Sequence, residues 1–133
     1  MSHLCELRRL KAEVDRLIPI VQQAPRIRKL FCERDLHQLS LTEAAHLCNM
    51  STADFRRKFH LTTGTSFHRF VILLRVAEAM ELLARPDLTI THVALECGFG
   101  SLNAFEYAFR RLVHSSPGQC GQCLRQGLRT CEK

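Results

Sequence analysis

Two segments of this chain repeat one another, and this repeat constrains the fold more than any other feature. The first segment, "LTEAAHLCNMSTADFRRKF", covers residues 41–59, and the second, "ITHVALECGFGSLNAFEYAF", covers residues 90–109. Cys48 aligns with Cys97 at an offset of 49 residues, and after one inserted residue in the second turn the offset becomes 50. A fold for this chain must therefore build the same local structure twice.

Each copy predicts two short helices joined by a tight turn. Apolar residues recur at spacings of three and four, as on one face of a helix. Ser51 and Ser101 precede the second helix of each copy, where a serine side chain caps free backbone N–H groups. Phe55 and Phe59, like their counterparts in the second copy, are expected to face inward. Helix, turn and helix in this order are typical of a helix-turn-helix unit.

The rest of the chain also predicts helices, including one from about 25 to 35 and a long one from 67 to about 85. We therefore predict an all-α fold with two helix-turn-helix subdomains joined by a long linker helix, preceded by a short N-terminal helical segment. The predicted parts are the N-terminal amphipathic segment 1–24, the first helix-turn-helix subdomain 25–64, the linker helix 65–86, the second helix-turn-helix subdomain 87–119 and a cysteine-rich mobile tail 120–133.

The N-terminal helix is predicted over residues 4–18. Leu7, Leu10, Val14 and Leu17 form an apolar stripe with heptad spacing. Pro19 is expected to end or kink the helix, since proline lacks the N–H that continues it. Two interpretations stay open: the stripe packs on the domain or on a missing neighbour, which we favour, or it forms a weak dimer.

The outward faces of the second helices are the candidate DNA-binding surfaces, because such a helix enters the major groove through its N-terminal residues. In the first copy this face carries Thr52, Ala53, Arg56, Arg57 and Lys58, and in the second copy Ser101, Leu102, Asn103, Glu106, Tyr107, Arg110 and Arg111. Arginine suits guanine edges or phosphates, and Asn103 suits adenine. Glu106 can accept a hydrogen bond from cytosine but repels phosphate.

Length and charge agree with a DNA partner. A linker helix of about 18 residues is about 27 Å long, comparable to the roughly 34 Å between successive major-groove faces. The two reading helices of one chain could therefore bind adjacent major grooves. The net charge of +6 also fits a polyanion, although charge alone is weak evidence.

Other classes of function find little support. No nucleophile motif, phosphate loop or pair of acids is evident, so we predict no enzyme, no catalytic residue and no cofactor. No run of about 18 apolar residues predicts a membrane span, and we expect a cytoplasmic protein with reduced cysteines. Cys120, Cys123 and Cys131, with His114, could bind a metal or act as redox thiols, but we favour a mobile tail or short helix and assign no metal site.

Residues 26–119 resemble the DNA-binding domain of the AraC/XylS family of bacterial transcription regulators. The segments that carry the resemblance are "GTSF" at 64–67, "LRVAEAMELL" at 74–83, "ITHVALECGF" at 90–99, "FEYAFRR" at 105–111 and "SP" at 116–117. The resemblance implies gene regulation without catalysis, activation more than repression, and RNA polymerase as a further partner. It places the base-reading positions on Ala53, Arg56 and Arg57, and on Leu102, Asn103, Ala104, Glu106 and Tyr107.

The chain departs from the family pattern in its second reading helix, which is apolar and acidic where relatives often carry polar or basic residues. We therefore predict that Arg56 and Arg57 contribute most of the affinity for DNA.

Many members of the family also have an N-terminal effector domain. Residues 1–24 are too few for a ligand pocket, and a stand-alone short regulator is favoured over the end of a longer protein. The alternative function is a helix-turn-helix module that binds RNA polymerase or a regulatory partner, with weak DNA binding of its own.

Overall fold

The computed structural model describes residues 3–28, 30 and 38–126, with side chains from residue 6 onward. Its helices are α1 (His3–Gln22), α2 (Leu41–Leu47), α3 (Thr52–Thr63), α4 (Phe67–Leu83), α5 (Ile90–Glu96), α6 (Leu102–Val113) and α7 (Pro117–Arg125). No strand occurs in this part of the chain, and the predicted all-α fold is confirmed. Within the same residues, no helix combines the length and apolar character needed to cross a membrane.

Hydroxyl side chains set the starts of the repeated helices. Ser40 accepts a hydrogen bond from the N–H of Glu43 at 3.1 Å, and the Glu43 carboxylate accepts the N–H of Ser40 at 3.1 Å, which completes a capping box. Thr89 caps α5 in the second copy. Ser51 and Ser101 cap α3 and α6, as predicted. Each cap satisfies a donor that the first helical turn leaves free.

The turns between the paired helices have the same geometry in both copies. Asn49 has a φ of 55° and Gly98 a φ of 94°, so both lie in the left-handed region. In the first turn the N–H of the following residue, Met50, donates to the carbonyl of Ala45 at 3.0 Å, and the corresponding bond in the second turn is also 3.0 Å. These bonds turn the chain sharply out of the first helix toward the second. The inserted residue, Gly100, lies beyond this hydrogen-bonded turn.

The structural repeat has three helices, one more than the sequence indicated. Gly64 (φ 80°) and His114 (φ 64°) end α3 and α6 in left-handed conformations. Ser66 and Ser116 then cap the next helices, each accepting a backbone N–H at 3.1 Å. The start of α4 and the whole of α7 are therefore equivalent, although their sequences share little.

Part of the predicted mobile tail belongs to this third helix. α7 extends to Arg125, with Cys120 fully buried and Leu124 only 6% exposed. Of the two favoured alternatives, a mobile tail or a short helix, residues 120–125 form the helix, because two apolar side chains four residues apart lie on one face. Residues 127–133, including Cys131, lie outside the described residues.

The helix α1 is longer than predicted. It continues through Pro19 to Gln22, and the carbonyl of Pro19 accepts the N–H of Gln23 at 3.0 Å. Leu17 and Val21, on either side of the proline, are fully buried and lie four residues apart on the same face. Proline removes one hydrogen bond, and this burial offsets the loss.

The apolar stripe of α1 is buried within this chain. Leu10 is fully buried and Val14 is 8% exposed, as the favoured interpretation of domain packing requires.

The predicted helix over residues 25–35 falls largely outside the described residues, and residues 25–28 form a turn.

The backbone separates into two compact units, one of residues 13–74 and one of residues 1–12 with 75–133. In the first unit, four phenylalanines form a ring cluster. The Phe59 centroid lies 5.9 Å from that of Phe55, 5.4 Å from that of Phe67 and 5.4 Å from that of Phe70. The tilted and edge-on ring geometries are favourable for aromatic pairs. This cluster fixes α3 against the start of α4.

The second unit has a smaller ring cluster. The Phe105 centroid lies 5.3 Å from that of Phe99 and 5.6 Å from that of Phe109. The Arg75 guanidinium lies over the Phe99 ring at 5.4 Å. The division between the units falls inside α1 and inside α4. The predicted boundaries of the linker segment, 65–86, remain a prediction.

Gly64→Ala is expected to lower the free energy of unfolding by about 1–2 kcal/mol. An added Cβ meets no atom within 4 Å, so the cost arises from the left-handed backbone at φ 80° alone. Gly100→Ala is the control, because its Cβ site is equally open and its φ lies outside the left-handed range. Urea titration followed by circular dichroism measures both variants. Equal midpoints for the two would contradict the prediction.

Candidate nucleic-acid interface

The outward face of α3 carries the residues predicted for the first DNA-reading surface. Phe55 and Phe59 are fully buried, which directs the opposite side of the helix toward solvent. The exposed positions there are Thr52, Ala53, Arg56 and Arg57, and Lys58 is half-buried. Three cationic side chains therefore lie next to each other in sequence at the centre of this helix.

An ion pair orients one of these arginines. Nη2 of Arg57 lies 2.7 Å from Oδ1 of Asp54, with both side chains more than half exposed. The Asp54 N–H also donates to Ser51 Oγ at 3.2 Å. Sequence analysis missed this pair, although its three-residue spacing on a helix was a usable signal. An exposed pair contributes little stability, but it restricts the directions in which the guanidinium points.

The outward face of α6 has different chemistry. Its predicted residues Ser101, Leu102, Asn103, Tyr107, Arg110 and Arg111 are exposed, and Glu106 is half-buried. Leu102 is 38% exposed and Tyr107 65% exposed. The Ser101 hydroxyl already accepts the N–H of Ala104 at 3.1 Å, so it holds the helix end as well as facing solvent.

Tyr107 and Arg111 form a second pair that sequence analysis missed. Arg111 Nη1 donates to the Tyr107 hydroxyl at 2.9 Å, and the guanidinium carbon lies 5.6 Å from the ring centroid. The four-residue spacing places the two side chains on adjacent turns. The contact restricts the orientation of the tyrosine ring on the exposed surface.

The last turn of α6 is held by a residue of α1. Arg9 Nη2 donates to the carbonyl of Leu112 at 2.7 Å. A cation at a helix C-terminus satisfies a free carbonyl and interacts favourably with the helix dipole. Arg9 Nε also donates to Glu6 at 3.0 Å, and the Glu6 side chain is 4% exposed. This bond between residues 103 apart in sequence had no local signal.

The buried cysteines are poor candidates for reactive groups. Burial raises the pKa of the Cys97 thiol to about 12, with smaller contributions from Glu78 and Glu96. Burial likewise raises the pKa of Cys120 to about 12. Cys48, Cys97 and Cys120 form no disulfide, whereas Cys123 is disulfide-bonded, contrary to the expectation of reduced cysteines. Sequence spacing alone does not show which sulfur atoms come within bonding distance.

The raised pKa values predict slow alkylation of Cys97 and Cys120 in the folded protein. Below pH 9 nearly all of each thiol is protonated, and the thiolate fraction is about a thousandfold smaller than for a thiol with the ordinary pKa of 9.0. Iodoacetamide labelling at pH 8, followed by peptide mass spectrometry, measures the rate at each site. Labelling in guanidinium chloride is the control and is expected to be fast. Fast labelling of either thiol in the native protein would contradict the prediction.

Comparison with known proteins gives a consistent result. The family model of a helix-turn-helix domain matches residues 44–122. The HTH-type transcriptional regulator MtrA of Neisseria gonorrhoeae is 41% identical over 71 residues, which cover 53% of this chain and 24% of that protein. The HTH-type transcriptional activator RhaS of Enterobacter sp. (strain 638) is 32% identical over 90 residues, which cover 68% of this chain and 31% of that protein.

A solved structure shows the same fold. The DNA-binding domain of AdpA, a global transcriptional factor crystallised in complex with a target DNA, superimposes with a TM-score of 0.63 and 35% identity. The match covers 68% of this chain and 83% of that one. The chain spans less than a third of the length of either curated relative. These relatives are transcription regulators by name, not enzymes.

Proposed function

The chain belongs to the AraC/XylS family of transcription regulators, and from this premise we propose that it binds a specific double-stranded DNA site with α3 and α6 in adjacent major grooves. The observation that carries the proposal is that each compact unit presents an exposed face on the second helix of a helix-turn-helix motif. Such helices read base edges in the major groove.

The chemistry of α3 supports binding to a polyanion. Arg56 and Arg57 are exposed and Lys58 is half-buried, so three cations can reach phosphates or base edges. In the described part of the chain, Arg56 has no ion-pair partner. The Asp54–Arg57 pair restricts the Arg57 guanidinium, whose remaining N–H groups can donate to guanine O6 or N7 or to a phosphate.

Gene activation in the bacterial cytoplasm, with RNA polymerase as a further partner, is part of the proposal. A relative with 32% identity is named as an activator. A weak dimer through residues 4–18 gains no support, because the central apolar residues of that stripe are buried within this chain.

Selection from random duplexes at physiological salt tests the proposal. We expect enrichment of a site with two boxes, with centres about one helical turn, or about 10 base pairs, apart. The affinity for the enriched site is expected to fall steeply with salt, since phosphate contacts release counterions. A single enriched box would contradict the two-groove arrangement, and no enriched box would contradict specific DNA binding.

The second candidate function is a protein-interaction module. The exposed Leu102 and Tyr107 and the half-buried Glu106 are unusual for a surface that meets phosphates. Titration of labelled chain with RNA polymerase, in the absence of DNA, tests this alternative. Saturable binding that Tyr107→Ala abolishes, together with DNA binding that is weak and insensitive to salt, would favour it over the regulator.

A further inference from the structure

We propose that α6 recognises an A·T-rich box and reads the 5-methyl groups of thymine through Leu102 and Tyr107. This inference rests on the proposed function and states what the second reading helix binds. It arises from a contrast between the two units: the reading face of α3 is cationic, whereas that of α6 has apolar side chains on its flanks.

The exposed apolar residues of α6 are not scattered. Among the described residues, four large hydrophobic side chains are exposed, and two of them, Leu102 and Tyr107, lie on this one face. At about 100° per residue they are about 140° apart around the helix axis, with Asn103 and Glu106 between them. The face therefore has a polar centre with one apolar side chain on each flank.

This arrangement suits thymine and adenine. Thymine presents a methyl group in the major groove, and apolar side chains contact it favourably. Asn103 can bond adenine at N6 and N7, and Glu106 can accept from the amino group of adenine or cytosine. Guanine presents acceptors only, O6 and N7, which a carboxylate repels. Leu102, Tyr107 and Asn103 thus favour A·T pairs, and Glu106 disfavours guanine on the strand that it faces.

The orientation of Tyr107 adds to the argument. Arg111 Nη1 donates to its hydroxyl at 2.9 Å and thereby restricts the ring, so the ring need not be ordered on binding. At the equivalent place on α3 stands Arg57, which is held by Asp54 instead. The repeat therefore uses matching positions for a guanidinium in one unit and for an aromatic ring in the other.

Replacement of thymine by uracil in the second box tests the inference. Uracil pairs as thymine does but lacks the methyl group, so only the apolar contact is removed. At physiological salt we expect the Kd, measured by fluorescence anisotropy, to rise about fourfold for each contacted methyl. The same replacement at a thymine outside both boxes serves as the control and is expected to leave the Kd unchanged.

Variants assign the effect to the side chains. Leu102→Ala and Tyr107→Ala are each expected to reduce the difference between thymine and uracil duplexes, the double variant is expected to abolish it, and Tyr107→Phe is expected to retain it. Asn103→Ala is expected to keep the uracil effect but to lose the preference for adenine. Unchanged circular dichroism in each variant shows that α6 is intact, which these exposed positions make the expected result.

The outcomes separate this inference from the proposed function. If two boxes are enriched but uracil has no effect in wild type, contact with thymine methyl groups is overturned and the proposed regulator function still stands. A guanine-rich second box would overturn it as well. Failure to enrich any box would reject the proposed function itself, and with it the inference. Loss of polymerase binding in Leu102→Ala, without any change in DNA affinity, would assign this face to a protein partner and overturn the inference.

Discussion

Replacing both Arg56 and Arg57 by alanine is expected to weaken binding to the selected duplex by about a hundredfold to a thousandfold. A bidentate arginine–guanine contact contributes about 1–3 kcal/mol, and each tenfold change in affinity corresponds to about 1.4 kcal/mol. Both side chains are exposed on α3, so their removal should not disturb the core. The slope of log affinity against log salt should also fall by about 0.9 for each phosphate that the variant no longer neutralises.

Arg85→Ala is the matched control for this double variant. It removes a cation from a position on neither reading helix, where Arg85 is paired with Asp87 at 3.0 Å. This variant is expected to change the affinity for DNA less than about threefold, because only the long-range electrostatic attraction of the protein is reduced. Asn103→Ala is expected to weaken binding to the selected duplex less than the α3 double variant does. Full affinity in the Arg56→Ala/Arg57→Ala variant, with binding abolished by Asn103→Ala, would show that α6 dominates and that our assignment is wrong.

Phe59→Ala is expected to lower the free energy of unfolding by about 3–5 kcal/mol, the range for removing a buried aromatic ring. Phe59 is fully buried and meets three other rings at 5.4–5.9 Å, so the surrounding side chains cannot close the cavity without breaking the cluster. A domain of this size has about 5–15 kcal/mol of stability in total. The variant should therefore lose DNA binding through partial unfolding of the first unit.

Urea denaturation followed by circular dichroism measures this effect. Leu61→Ala is the control on the same helix, since Leu61 is 75% exposed and its loss should change stability by less than about 0.5 kcal/mol. Phe59→Leu should recover part of the loss, because it restores most of the apolar volume. A loss below about 1 kcal/mol for Phe59→Ala would show that the ring cluster does not hold α3 in place.

Local sequence patterns were sufficient for most of the helices. Caps, apolar spacing and turns act over three to five residues, so Ser51 and Ser101 marked the helix starts correctly. Cys48 and Cys97, which the repeat aligns with one another, are both buried. Local patterns also identified which side of α3 and α6 faces outward, which follows once Phe55 and its equivalent are assigned to the core.

The errors lie where distant parts of the chain decide the outcome. The sequence predicted α4 as a helix but not the sides on which it is covered, and Phe70 and Ala79, which lie on opposite sides, are both fully buried. Pro19 was expected to end or kink the helix because local hydrogen bonding disfavours it, but the helix continues past it and Val21 is buried. Only tertiary packing supplies this burial.

The sequence by itself determined the repeat, its helices and the chemistry of the two outward faces. These depend on residue type and short-range periodicity, which are written directly in the chain. The three-dimensional structure decided how the side chains on those faces are held, through two contacts within a helix and one between distant segments. Asp54 orients Arg57, Arg111 orients Tyr107, and Arg9 caps α6 from α1. Such contacts depend on rotamers, and for Arg9 on two segments that approach only after the chain has folded.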